Sequence, residues 1–137
     1  MTARVRRILE TALHCGDLPR TSAFYARLLD TAPLLDTERL AVFHAGEGTM
    51  LLLFQCGNTD PLQTPGGLIP GHDAGGAGHF AFAIDAGDLA EWERRLRELG
   101  IAIESRVSWE RGGTSVYFRD PDDRLVELAT PGVWPTY

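Results

Sequence analysis

Residues 79–99 read HFAFAIDAGDLAEWERRLREL, and this stretch decides the fold. Its first seven residues alternate between large apolar side chains and small or polar ones, which predicts a β-strand with two different faces. A helix is predicted next, with Asp88 as its N-cap, Glu91 three residues later, and Gly100 at its end. A strand followed by such a helix predicts a unit in which the helix packs on the apolar face of the strand.

The rest of the second half completes this unit. Three further strands are predicted at 101–109, 114–119 and 125–129, because apolar and β-branched residues there are separated by Gly-Gly and Asp-Pro-Asp-Asp turns. The second half, about residues 79–130, therefore has the order βαβββ.

The first half repeats this order over about residues 8–56. The predicted elements are a strand over 8–15, a helix from the N-cap Asp17 to about Asp30, and strands at 33–36, 40–44 and 49–55. A Gly- and Pro-rich segment without periodicity, about residues 57–78, links the halves. Each half alone is too small to bury its sheet, so the two must pack together, within the chain or across a dimer. The predicted fold class is α+β, with two βαβββ modules of mixed sheets in a single domain over 1–137.

Composition and charge limit the possible classes of function. With 137 residues, of which 44% are hydrophobic and 23% charged, the chain is typical of a globular domain and has no apolar run long enough for a membrane span. The net charge of -6 disfavours nucleic acid as a partner. No signal-peptide pattern follows the basic start, so we expect a cytoplasmic protein. Cys15 and Cys56 are expected to be buried thiols rather than a disulfide.

Three ionisable side chains stand among small or apolar neighbours on the predicted central strands. His79 shares a strand face with two alanines, Glu10 shares one with Ala12, and Glu127 stands singly in an apolar strand. Two carboxylates and one imidazole make a credible site for a divalent cation. The alternative is that both glutamates face solvent and that His79 is a hydrogen-bonded histidine at a strand end.

Four segments carry a resemblance that covers nearly the whole chain: ETALHCGDL at 10–18, SAFYARLL at 22–29, GHFAFAID at 78–85 and YFRDPDDRLVEL at 117–128. Together they resemble the vicinal oxygen chelate superfamily, which contains glyoxalase I, extradiol dioxygenases, fosfomycin-resistance transferases and bleomycin-resistance proteins. The Asp-Pro-Asp segment that leads to Glu-Leu is the most specific part. The resemblance implies paired βαβββ modules that form a cup around a metal ion, and a homodimer.

Carried over position by position, the resemblance implies metal ligands at Glu10, His79 and Glu127. Glu10 stands where the family usually has His or Gln. The fourth ligand position falls on Leu52 or Leu53, and neither side chain can bind a metal. The resemblance therefore implies a three-ligand site, closer in number to that of the dioxygenases than to that of glyoxalase I, for Fe2+, Mn2+, Ni2+, Co2+ or Zn2+.

Further side chains are candidates for the same site. His14, on the first strand, is a candidate proton shuttle or partner for an acidic substrate group, or else a histidine satisfied by the backbone. Tyr117 matches a site tyrosine of fosfomycin-resistance proteins, although packing alone also explains it. Trp109 and Trp134 are candidates for the roof of an apolar pocket, or for the core or a dimer interface. His72 is expected to be an exposed loop histidine, with a part in a lid as the alternative.

These residues predict a divalent-metal enzyme whose small oxygenated substrate chelates the ion, with Glu10, His14 and Tyr117 as catalytic side chains. The substrate and the reaction type stay open, because this scaffold hosts several reactions. One alternative is a metal-free protein of the bleomycin-resistance kind that sequesters a drug in an aromatic-lined groove. Another is a binding or regulatory module that has lost its chemistry. The expected partners are a small-molecule substrate or drug and a second copy of the chain.

Overall fold

The computed structural model describes residues 2–137, and the chain divides into two compact units. The first unit ends at Gly75, and the second runs from Gly76 to Tyr137. The boundary falls within the Gly-rich segment that was expected to link the two modules. That residues 1–137 form one domain stays a prediction.

The first unit starts with a strand, a helix and three strands. Their bounds are β1 (Glu10–Cys15), α1 (Leu18–Leu29), β2 (Leu35–Asp36), β3 (Leu40–His44) and β4 (Met50–Gln55). The sheet has the order β1-β4-β3-β2, in which β1 runs parallel to β4 and the other pairs are antiparallel. This confirms the βαβββ order predicted for the first half.

The Gly- and Pro-rich segment, which was predicted only as a linker, contains regular structure. A hairpin of β5 (Leu62–Thr64) and β6 (Gly67–Ile69) lies within it. The Thr64 hydroxyl donates to the Gly67 carbonyl at 2.7 Å and closes the turn. Strands of three residues are too short to produce a visible alternation, which is why the sequence pattern did not predict them.

The second unit repeats the architecture of the first. Its elements are β7 (His79–Ala83), a 3-10 turn (Ala86–Asp88), α2 (Leu89–Glu98), β8 (Ser105–Ser108), β9 (Thr114–Arg119) and β10 (Leu125–Ala129). The sheet order is β7-β10-β9-β8, again with the first strand parallel to the last and the remaining pairs antiparallel. The fold class is therefore α+β, with two βαβββ modules built on mixed sheets.

Helix α1 begins as the sequence predicts. The Asp17 side chain accepts a hydrogen bond from the Arg20 backbone N–H at 3.2 Å, and a proline occupies the first turn. The helix ends at Asp30, whose φ of 50° lies in the left-handed region. Its buried face packs on the sheet through residues that include Phe24, Tyr25 and Leu28.

Helix α2 departs from its predicted capping. Asp88 makes no side-chain capping hydrogen bond, because it closes a 3-10 turn with helical backbone angles rather than the extended ones of an N-cap. Glu91 pairs with Arg94 instead. Glu93 binds Arg106 of β8 at 2.7 Å, and this guanidinium holds the pKa of the Glu93 carboxyl below its usual value.

Across residues 2–137, no helix has the length and apolar character needed to span a membrane.

Alternate residues of the strands carry fully buried apolar side chains. In the first unit Leu13, Leu51 and Leu53 are buried, and in the second Val126 and Leu128 are fully buried. Other fully buried apolar residues are Cys15, Ala41, Phe43, Leu96, Val116 and Phe118. Cys15 and Cys56 are not joined in a disulfide, and Cys15 is buried as expected, but Cys56 is only partly buried, because it follows the last residue of β4.

Candidate metal centre

Two neighbouring strands of the second unit bring His79 and Glu127 together. The register of the parallel strands β7 and β10 pairs His79 with Leu125 and Ala81 with Glu127. Paired positions on adjacent strands share a sheet face, so Glu127 lies on the face of β7 that carries His79. The His79 Nε2 and Glu127 Oε1 atoms are 3.2 Å apart.

The tautomer of His79 follows from its other ring nitrogen. Nδ1 lies 2.8 Å from the backbone carbonyl oxygen of Leu125, and a carbonyl only accepts hydrogen bonds, so Nδ1 carries the hydrogen. In the neutral ring, Nε2 then directs a lone pair at the Glu127 carboxylate. Two lone pairs at this distance repel each other, so the contact requires a proton between the two atoms or a metal ion bound by both groups.

The donor set fits a divalent metal ion. A histidine whose Nδ1–H donates to a carbonyl and whose Nε2 is free is the common form of a histidine ligand. Two ligands that each lie about 2.0–2.2 Å from one ion stand about 3 Å apart at adjacent coordination positions, which agrees with the separation here. The His79 side chain is 48% exposed, so a bound ion would keep positions open for water or a substrate.

Glu127 is held by a chain of hydrogen bonds in the second unit. The residue is only 7% exposed, so the alternative in which Glu127 faces solvent is wrong. Its Oε2 atom accepts a hydrogen bond from the Ser115 hydroxyl at 2.5 Å. The Ser115 hydroxyl in turn accepts one from the Trp109 indole N–H at 2.8 Å. The carboxylate thus has one oxygen bonded to the protein and one directed at His79.

Tyr117 lies in the same cluster. It pairs with Glu127 across the antiparallel strands β9 and β10, and its ring centroid is 6.2 Å from that of His79. The exposed Ala81 and Ala83 share the face of His79 and leave space above the sheet, while Phe80 and Phe82 are half-buried on the other face. The second unit therefore brings together three of the five predicted site residues, namely His79, Tyr117 and Glu127.

The first unit carries Glu10 on an exposed strand end. Its neighbour in the register of β1 and β4 is Met50, and Ala12 pairs with Leu52. Glu10 and Leu52 thus hold the positions in the first sheet that His79 and Glu127 hold in the second. Of the two leucines on which the resemblance puts the fourth ligand position, Leu52 is half-buried on the face of Glu10, whereas Leu53 is fully buried on the opposite face.

His14 contacts His72 in the first unit. His14 Nε2 and His72 Nδ1 are 2.9 Å apart, so one ring donates and the other accepts. The rings of both histidines also pack against Phe54. The linker histidine is exposed, as expected, but it docks on β1 rather than standing free in solvent. In neither unit, over residues 2–137, are three His, Cys, Asp or Glu side chains grouped to hold a metal ion.

Trp109 borders a cavity of about 680 Å³ in the second unit, which is also lined by Val107, Arg111 and Val133. Trp109 is 39% exposed. Trp134 is 68% exposed and does not line this cavity. That either tryptophan roofs the substrate pocket stays a prediction, because this cavity contains none of the predicted metal ligands.

Sequence reasoning missed Ser115 as a member of the site. Ser115 is two residues before Tyr117 on β9, so strand alternation alone puts both on one face. A small hydroxyl residue inside an apolar strand was the available signal. No sequence pattern predicts the hydrogen bond between Ser115 and Trp109, because it depends on the conformation of the segment between β8 and β9.

Comparison with known proteins agrees with this architecture. The model of the Glyoxalase/Bleomycin resistance protein/Dioxygenase superfamily matches residues 7–128. The metallothiol transferase FosB of Bacillus licheniformis is 30% identical over 120 residues, which span 87% of this chain and 71% of that protein. The lactoylglutathione lyase of Salmonella typhimurium is 29% identical over 135 residues, covering 89% and 90%. The crystal structure of lactoylglutathione lyase from Agrobacterium tumefaciens matches with a TM-score of 0.85 and 34% identity, over 97% of this chain and 99% of that one. The chain belongs to the glyoxalase, bleomycin resistance protein and dioxygenase superfamily.

Proposed function

We propose that this protein binds one divalent metal ion through His79 and Glu127 and catalyses a reaction of a small substrate whose oxygen atoms chelate that ion. One observation carries the proposal: His79 Nε2 faces Glu127 Oε1 at 3.2 Å while Nδ1 of the same ring is committed to a backbone carbonyl. Two electron-pair donors held face to face in this way are the arrangement that a metal ion needs.

The bound ion would supply Lewis-acid chemistry, which polarises a substrate oxygen and stabilises negative charge on it. His79 and Glu127 would hold the ion, and the exposed Ala81 leaves space for a substrate beside them. The Tyr117 hydroxyl is the candidate hydrogen-bond donor to a substrate oxygen, because its ring lies beside that of His79.

Glu10 and His14 keep their roles as proposals. Glu10 is the third protein ligand or the general base, and its exposed carboxylate has the charge that either role needs. His14 moves a proton, and its hydrogen bond to His72 provides a second imidazole to which that proton can pass. Both residues lie in the first unit, whereas His79 and Glu127 lie in the second. Mutation of Glu10 and His14 therefore tests whether they act in the same reaction.

The family relatives support an enzyme of this general kind without selecting the reaction. They include a metallothiol transferase and lactoylglutathione lyases, whose names denote different reactions. A fold that is shared between reactions does not identify one of them. A homodimer is part of the proposal, because Val5, Ile8 and Leu9 are 90%, 76% and 60% exposed and form apolar surface that a second copy would cover.

A metal-free binding protein is the second candidate, and Leu52 favours it. This leucine stands in the first sheet where Glu127 stands in the second, so one of the two equivalent positions has no donor atom. A groove lined by apolar and aromatic side chains would then hold a drug without an ion.

Metal content tests the proposal. The chain is stripped with a chelator, reconstituted with Mn2+, Co2+, Ni2+ or Zn2+, and measured by elemental analysis; we expect about one ion per chain. His79→Ala should lose the ion, since the remaining carboxylates cannot offset its desolvation. Glu10→Gln should weaken binding about tenfold or more if Glu10 is a ligand. His44→Ala, at the exposed end of β3, is the matched control and should bind like the parent.

Two outcomes contradict the metal proposal. They are a reconstituted parent without metal, and a His79→Ala variant with the metal content of the parent. Calorimetry with small diols, α-keto acids and glycopeptide drugs, with metal added and withheld, separates the two candidate functions. Tight binding of a drug that needs no metal and persists in Glu10→Gln would favour the sequestering protein.

A further inference from the structure

The side chains behind Glu127 form a chain of hydrogen bonds with one possible direction. An indole N–H can only donate, so the Ser115 oxygen accepts from Trp109 at 2.8 Å. The single hydroxyl hydrogen of Ser115 is then free for Glu127 Oε2, 2.5 Å away. Ser115 is fully buried, so no water competes for this hydrogen.

This chain determines which oxygen of Glu127 is available. The last torsion of a glutamate side chain is broad, so a carboxylate without a fixed partner samples many orientations. Here Oε2 is bonded to Ser115, and Oε1 is therefore directed at His79 Nε2, 3.2 Å away. The strand register contributes, because Ser115 lies diagonally across from Glu127 on the neighbouring strand.

We propose that Trp109 and Ser115 are positioning residues that hold Glu127 in the orientation required to bind a metal ion together with His79. The inference rests on the proposed function, since it concerns the same ion. Neither residue would touch the ion. Ser115 orients the carboxylate by donating a hydrogen bond to it. Trp109 orients the Ser115 hydroxyl by donating to its oxygen, so that the hydroxyl hydrogen points to Glu127.

The exposure of Trp109 makes the proposal testable without disturbing the core. Trp109 is 39% exposed, so Trp109→Phe removes the N–H donor and retains an aromatic ring at a surface position. Trp134→Phe is the matched control, because Trp134 is in the same unit and is 68% exposed. Ser115→Ala removes the hydroxyl, and Ser115→Thr keeps it.

The experiment is a titration of the metal-free chain with Mn2+, followed by electron paramagnetic resonance and calorimetry. Side chains that orient a metal ligand typically contribute 10–100-fold in affinity, so we expect Ser115→Ala and Trp109→Phe to bind Mn2+ about 10–100-fold more weakly than the parent. Trp134→Phe and Ser115→Thr should retain the parent affinity. The double variant Trp109→Phe with Ser115→Ala should lose no more than Ser115→Ala alone, because both act through one hydroxyl.

The outcomes separate this inference from the proposed function. A parent chain that binds neither Mn2+ nor any of the other ions used in the reconstitution ends both. A parent that binds Mn2+ while Trp109→Phe and Ser115→Ala bind equally well overturns the positioning role and leaves the metal site standing. Losses that add in the double variant also overturn it, since they indicate two independent structural effects. Thermal unfolding of each variant is compared with that of the parent, so that a general loss of stability is distinguished from a loss of metal affinity.

Discussion

Three of the four histidines occur in two different settings, and the difference decides which of the three can bind a metal. His14 and His72 bond ring to ring, so the hydrogen of one meets the lone pair of the other and no added cation is needed. His79 bonds instead to a carbonyl and a carboxylate, two groups that only accept. With the neutral ring, the Nε2 lone pair faces the carboxylate, so this contact needs a proton or a metal ion between the two side chains. The metal proposal falls on His79 for this reason.

Tyr137 allows a prediction about pH at the same scale. Its hydroxyl lies 3.0 Å from the carbonyl oxygens of both Ile84 and Ala129, and burial, with the nearby Asp85 carboxylate, raises its pKa above the usual value. A group whose pKa is raised on folding contributes stability below its unfolded pKa of about 10, and that contribution is lost as the pH rises through the higher folded value.

Tyr137→Phe should therefore lower the free energy of unfolding by about 0.5–1 kcal/mol at neutral pH, the value of one hydrogen bond on a partly exposed side chain. The difference between parent and variant should shrink above about pH 10. Urea unfolding across this range measures it, and ultraviolet titration of the phenol gives the pKa. Asp85→Asn should move the phenol pKa part of the way back. A difference that grows with rising pH would contradict this account.

The turn between β9 and β10 determines where β10 begins, and a buried ion pair holds it. Asp120 Oδ1 accepts hydrogen bonds from the backbone N–H groups of Asp122 and Arg124 at 2.9 and 3.0 Å. Asp120 Oδ2 accepts one from Arg124 Nε at 2.8 Å, and both residues are 5% exposed. The Asp-Pro-Asp segment therefore has a structural function: it sets the strand that carries Glu127.

Asp120→Asn should lower the free energy of unfolding by about 3 kcal/mol, because it leaves a buried guanidinium without its main partner. Asp122 still pairs with Arg124 at 3.1 Å, so the loss should lie at the lower end for a buried pair. Glu104→Gln is the control: its pair with Arg119 is about half exposed, and its loss should cost about 1 kcal/mol or less. Equal losses in the two variants, measured by urea unfolding, would show that burial of the pair is irrelevant.

Helices and strands could be predicted where the apolar residues are periodic or turn residues flank the segment, whereas hydrogen-bond networks between side chains could not. β3, β9 and β10 have the predicted bounds, because alternation and flanking turns define them. The β5–β6 hairpin is too short for a period. His79 and Glu127 were predicted on strands expected to be central, but only β10 is an inner strand, and β7 lies at the edge of its sheet. The contact between the two side chains depends on the register of β7 and β10, which a local sequence pattern does not encode.

The two units share one topology and differ in their chemistry. Their sheets have the same strand order and the same parallel pair, so equivalent positions can be compared directly. The second unit carries an imidazole and a carboxylate at the two positions where the first carries Glu10 and Leu52. Two of the three proposed metal ligands, His79 and Glu127, therefore lie in the second unit, and the third, Glu10, lies in the first.

Whether the two units unfold together is a test of the predicted single domain. All three tryptophans, Trp92, Trp109 and Trp134, lie in the second unit, so fluorescence follows that unit alone, whereas far-ultraviolet circular dichroism follows both. Leu28 is fully buried in the first unit, and Leu28→Ala should cost about 2–5 kcal/mol. Within one cooperative domain, this loss must lower the urea midpoint reported by the tryptophans of the other unit.

We therefore expect Leu28→Ala to shift the fluorescence and dichroism midpoints by the same amount, and the parent to unfold in one transition by both signals. Leu34→Ala, at a residue that is 55% exposed in the same unit, is the control and should leave both midpoints close to those of the parent. A Leu28→Ala variant that loses dichroism early while its tryptophan emission unfolds at the parent midpoint would mean that the second unit folds independently. The prediction of one domain over residues 1–137 would then be wrong, because the sheet of each unit would be stable without the other.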